Sequence, residues 1–169
     1  MTAVRDPIRL SVPRPARTTL LTVHILTTAV WIGLDVALGL LVVVPMTDPQ
    51  WTQVCFQVLP LLFWPLVTVS LLSLLSGVAL GLVTRWGLVR HWWVAIKLAA
   101  NLVLIVLIAL LLAPGLDAAG EVGRALAAGE VSTAEVPRLY MPPIVSTTAL
   151  VVATALSVAK PRGRVSRSS

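Results

Sequence analysis

Long apolar runs broken by short polar or charged segments dominate the chain. The runs extend from about Thr18 to Val44, Leu59 to Val83, Trp92 to Ala113 and Pro143 to Ala159. A spanning helix needs roughly 20 mostly apolar residues. The first three runs satisfy this, and Leu139 and Tyr140 extend the outer end of the fourth, which is the shortest. No run alternates with a period of two, so a transmembrane barrel is not expected. The first run is longer than the core of a signal peptide and no small-residue cleavage site follows it, so it reads as a retained helix. The pattern predicts an all-α, polytopic membrane four-helix bundle: a basic tail over residues 1–17, a four-span domain over 18–159, and a second basic tail over 160–169.

Breaks within the runs refine this. The helix between Trp51 and Thr84 carries Pro60 and Pro65 in its outer half, where each removes a backbone donor and predicts a kink. Gln53 and Gln57 suit the outer head groups better than hydrocarbon. The sizeable loop covers residues 114–142. There Leu116, Val122, Leu126 and Val131, among Ala, Gly and acids, predict short amphipathic helices lying on the outer surface, and the glycines argue against a rigid fold there.

Charge then sets an orientation. Arg5, Arg9, Arg14 and Arg17 precede span one, Arg85 and Arg90 separate spans two and three, and Lys160, Arg162, Arg164 and Arg167 follow span four. Only Arg124 and Arg138 lie on the other side, with Asp48, Asp117, Glu121, Glu130 and Glu135. By the positive-inside rule both termini are expected in the cytoplasm, facing an anionic inner leaflet of a bacterial cell membrane. The net charge of +6 is thus a topology signal, and nucleic acid is not an expected partner. Trp86, Trp92 and Trp93 at the inner boundary, with Trp51 and Tyr140 near the outer one, fit interfacial belts.

Composition narrows the function classes. Hydrophobic residues make up 57% of the 169 residues and charged residues 12%, against roughly a quarter charged in an ordinary globular chain. That excludes a soluble enzyme, a disordered chain and a nucleic-acid module. The single cysteine, Cys55, excludes an intrachain disulfide and any cysteine-based metal cluster, and no metal site is expected.

Ionisable groups inside a bilayer are costly and mark candidate sites. His24, Asp35 and Lys97 qualify. At 100° per residue, Thr28, Trp31 and Asp35 lie within about 40° of His24, forming one polar stripe on helix one. His24 and Lys97 sit at similar depths, ~9 and ~8 Å from the inner edge, and Asp35 lies ~16 Å above His24. Asn101 shares the face of Lys97. The stripe is expected to face Lys97, while depth separates Asp35 from Lys97. Each residue also has a structural reading: Lys97 snorkelling to the inner head groups, His24 bonded to a neighbouring Ser, Thr or carbonyl, Asp35 protonated or paired with a hydroxyl. Ser73, Gly77 and Gly81, with Ser70 and Thr84 nearly on the same face, form a small-residue ladder suited to close helix packing. His91 reads as an interfacial histidine.

One resemblance rests on these residues. His24, six residues, Trp31, one residue and Gly33 in span one, followed by Trp92-Trp93-Val94-Ala95-Ile96-Lys97-Leu98 opening span three, resembles a loose group of four-span bacterial membrane proteins. The group includes integral membrane proteins of unknown function, CopD-type copper-resistance domains and HemJ-type protoporphyrinogen oxidases, and the similarity covers roughly spans one to three. The HemJ-type likeness implies His24 as an axial ligand of haem b and Lys97 as a contact for a propionate or substrate carboxylate, roles for which imidazole and ammonium are suited. The chain departs from that pattern after Gly33: Leu34-Asp35-Val36-Ala37 replaces an aromatic, Pro and Arg run. For copper, Met46 and Met141 are two soft residues on the outer side, with no His on that side to complete a site.

Three functions are therefore open. The first is a scaffold or accessory subunit without intrinsic catalysis, working with a membrane partner or as a homo-oligomer. The second is a haem- or porphyrin-handling redox protein using His24 and Lys97. The third is a small carrier or proton-coupled permeation unit.

Overall fold

The computed structural model describes residues 13–83, 92–130 and 138–159. Residues 1–12 and 160–169 of the basic tails, the loop with Arg85, Trp86, Arg90 and His91, and Val131 and Glu135 lie outside the described residues, as does Thr84. Helix α1 spans Arg14–Thr47, α2 Thr52–Val58, α3 Phe63–Val83, α4 Trp92–Leu107, α5 Ala113–Ala127 and α6 Met141–Ala159, with no strand among the described residues. Three continuous helical stretches, Arg14–Thr47, Pro49–Val83 and Trp92–Ala127, are long and apolar enough to cross a membrane, and the apolar Met141–Ser157 is shorter.

The helices alternate in direction around a square. On α1, His24 meets Ser76 and Thr28 meets Ser73 of α3. Asp35 meets Ser146 and Gly39 meets Pro143 of α6. In both pairs the numbers rise on one helix as they fall on the other, so α3 and α6 run antiparallel to α1. Helix α4 closes the square by packing on α3 and α6. The starts of α1 and α4 and the ends of α3 and α6 therefore lie at one end of the bundle, called here the near end.

The buried face of α1 reads Trp31, Asp35, Leu38, Val42 and Pro45, the alternating four- and three-residue spacing of a helix seam. Trp31, Leu38 and Leu66 are fully buried and meet Leu104, Ile108, Leu112 and Leu150 in the core. Outside this core the surface stays apolar: Ile25, Leu40, Leu75, Val103, Leu110 and Val151 are all more than half exposed. Such a surface is compatible with lipid as its solvent.

At the far end the structure differs from the expected outer loop. Pro114 does not end the third span. Its ring would clash with the carbonyl of the residue four before it, and the preceding turn, Ile108–Leu112, opens into a π-helix. The chain then continues directly as α5, with Pro114 in its first turn. Pro60 is accommodated similarly by a 3-10 turn over Leu59–Leu62 between α2 and α3, and Pro65 falls in the first turn of α3.

Helix α5 packs antiparallel on α2 rather than lying on the outer surface. The glycines expected to loosen this region form its packing face instead. Gly115, Leu116, Ala119, Gly120 and Gly123 are buried. A Cβ on Gly120 would stand 2.5 Å from Pro60 Cγ, and one on Gly123 would stand 2.8 Å from the Gln57 backbone nitrogen. The Gln57 side-chain amide donates to the Gly123 carbonyl at 3.1 Å. Leu126, expected on the apolar face, is 42% exposed.

Candidate functional site

Each intramembrane ionisable side chain meets a hydroxyl presented by a neighbouring helix. His24 is half-buried, and its Nδ1 lies 3.0 Å from both the Ser73 carbonyl oxygen and Ser76 Oγ. A neutral imidazole with Nδ1 protonated donates to either oxygen. Ser76 in turn donates to the Leu72 carbonyl at 2.7 Å. Thr28 Oγ1 donates to the His24 carbonyl at 2.8 Å and lies 3.1 Å from Ser73 Oγ. The imidazole rests on Gly77, whose hypothetical Cβ would stand 3.1 Å from His24 Cε1. The small-residue ladder thus makes room for the histidine ring. Ser73 and Gly81 are buried along the same face.

The other two ionisable groups reach α6. Asp35 is 4% exposed, and Ser146 Oγ donates to its Oδ2 at 2.6 Å. Lys97 Nζ donates to Ser157 Oγ at 2.5 Å and lies 4.4 Å from the centroid of the Trp93 ring, a cation–π arrangement. Asn101 is half-buried, with its Oδ1 enclosed and unpartnered among the described residues, as is the indole N–H of fully buried Trp31.

No hydrogen bond joins the α1 stripe to Lys97 among the described residues, although the His24 ring and the Lys97 ammonium are near enough to interact electrostatically. The two helices occupy opposite corners of the square. His24 and Thr28 turn to α3, Asp35 turns to α6, and Lys97 turns to α6 from the other flank. Equal depth measured along separate helices carries no information about which corner each occupies. Ser76, Ser146 and Ser157 were not singled out by sequence reasoning. Their signal was only that of hydroxyls within apolar runs, which serine can also satisfy on its own helix.

The haem reading turns on the same two side chains. Nδ1 of His24 is engaged by α3 and the Cε1–Nε2 edge lies against Gly77. An Nδ1–H held by the Ser73 carbonyl leaves the lone pair on Nε2, the tautomer a ligating imidazole takes, and only the Gly77 side of the ring stands in its way. The Lys97 ammonium is likewise held by Ser157 and Trp93. Among the described residues no group of three or more His, Cys, Asp or Glu could hold a metal ion.

A partly open cavity lies elsewhere. A cavity of about 210 Å³ sits between α1, the π turn and α6, with Asp35 and Ser146 on its wall.

Comparison with family models, with curated proteins and with solved structures finds no match.

Proposed function

We propose that this chain is an integral membrane accessory or scaffold protein without catalysis of its own, in which His24, Asp35 and Lys97 tie helices together. One observation carries the reading: all three groups that could act chemically within the bundle bond hydroxyls on adjacent helices. In a bilayer, where burial of apolar side chains gives little drive for helix association, such bonds and close small-residue packing hold a bundle. Ten Lys and Arg residues in the tails and the loop at 84–91 support an orientation with the near end at the cytoplasmic face of a bacterial inner membrane, against anionic lipid. The outward apolar faces of the bundle suit a second membrane helix, from another copy or a partner protein, as well as they suit lipid.

A reduced-minus-oxidised visible spectrum of the purified protein, expressed with ample haem supply, tests this against the porphyrin reading. The expected spectrum is flat for the wild type and for His24→Ala alike. A Soret band and α-band present in the wild type and lost in His24→Ala would overturn the proposal.

A further inference from the structure

The cavity beside Asp35 has features that helix packing does not require. Its wall is apolar apart from Asp35 and Ser146. Ser146 bonds Oδ2, the one side-chain hydrogen bond given to this carboxyl among the described residues, in a residue only 4% exposed. The Oγ–Oδ2 separation of 2.6 Å is that of a close hydrogen bond between a hydroxyl and a carboxyl group. The cavity also opens sideways. Leu111, Met141 and Val145 form its rim and are 60%, 52% and 50% exposed. One wall is the π turn, Ile108–Leu112, a local widening that recurs at functional sites.

We infer that this cavity binds a small lipophilic amine in its protonated form, entering laterally from the surrounding lipid. An apolar cavity of about 150 Å³ holds a benzene ring, so about 210 Å³ has room for one ring and a short chain. The ammonium bonds Oδ1 while Ser146 holds Oδ2, so that the buried carboxylate gains the cationic partner it otherwise lacks. A neutral ligand of the same shape fills the apolar volume but leaves that charge unpaired. An anionic ligand is repelled. The carboxylate therefore selects for charge, and the volume selects for size. The binding inference stands apart from the accessory-subunit reading, since a bundle tied by its polar residues can hold a ligand without transforming it.

The test uses the full chain in phosphatidylcholine nanodiscs, with 4-fluorophenethylamine followed by fluorine NMR. The amine is expected to show a saturable shift, at least tenfold tighter than 4-fluorophenethyl alcohol. Asp35→Asn is expected to weaken amine binding at least tenfold. Val145→Phe narrows the mouth without touching the carboxylate and is expected to weaken it similarly, which keeps the test decisive if Asp35→Asn folds poorly. Non-saturable partitioning of the amine, equal in wild type and Val145→Phe, would overturn the inference. So would alcohol binding as tight as that of the amine. Displacement of the amine by phosphatidylethanolamine in the discs would reassign the site to a lipid head group.

Discussion

Replacing Trp31 by alanine is expected to destabilise the bundle by about 3 kcal/mol, more than any other single truncation. Trp31 is the largest fully buried side chain and stands one turn before Asp35 on the seam of α1. In a water-soluble core such a truncation costs roughly 3–5 kcal/mol, including the transfer of the ring from water. In a bilayer the transfer term shrinks because lipid is as apolar as the core, and the lost packing remains. The lower end of the range therefore applies. Trp31→Phe separates the contributions: it keeps a ring and removes an indole N–H that has no partner among the described residues. The expected loss is about 1 kcal/mol, because relief of the unpaired donor offsets part of the cavity. Equilibrium unfolding in mixed detergent micelles measures both. Equal stability of wild type and Trp31→Ala would show that the seam of α1 does not hold the bundle.

Gly123→Ala is expected to destabilise by about 1–2 kcal/mol, although alanine is the better helix former by ~1 kcal/mol. The sign follows from what the new methyl meets. It would stand 2.8 Å from the Gln57 backbone nitrogen and 3.0 Å from the Phe56 carbonyl carbon, and backbone atoms of a packed helix cannot turn aside. Helices α2 and α5 must separate, loosening the hydrogen bond from Gln57 to the Gly123 carbonyl. Gly33 is the control. It is mid-helix in α1, and a Cβ there meets nothing within 4 Å, so Gly33→Ala is expected to stabilise by up to ~1 kcal/mol. Opposite signs in the same unfolding assay support the close α2–α5 contact, whereas stabilisation by both substitutions contradicts it.

These two sites mark where the sequence was legible and where it was not. The apolar runs announce membrane-length helices because burial in lipid demands continuous apolar composition whatever the tertiary arrangement. The glycines at 115, 120 and 123 were ambiguous, since the same residue marks a loose loop or the closest packing. Only the facing surface of Pro60, Phe56 and Gln57 decides between them. Pro114 likewise reads as a helix stop until the π turn that accommodates it is seen.

At the candidate site, spacing along α1 placed His24, Thr28, Trp31 and Asp35 on one face. It could not say that this face is divided between α3 and α6. The partner of Asp35 lies 111 residues away and that of Lys97 lies 60 away. Serine gives no periodic signal at such separations. The ladder of Ser73, Gly77 and Gly81 was legible as a packing face, but its role in seating an imidazole depends on which helix lies opposite.

A double-mutant cycle between His24→Ala and Ser76→Ala, read as unfolding free energies in mixed micelles, tests the central claim that intramembrane polar groups act as ties between helices. A coupling of about 1 kcal/mol is predicted, in the usual range for hydrogen bonds between membrane helices. A coupling indistinguishable from zero would mean that the imidazole is not tied to the Ser76 hydroxyl, and would contradict the account.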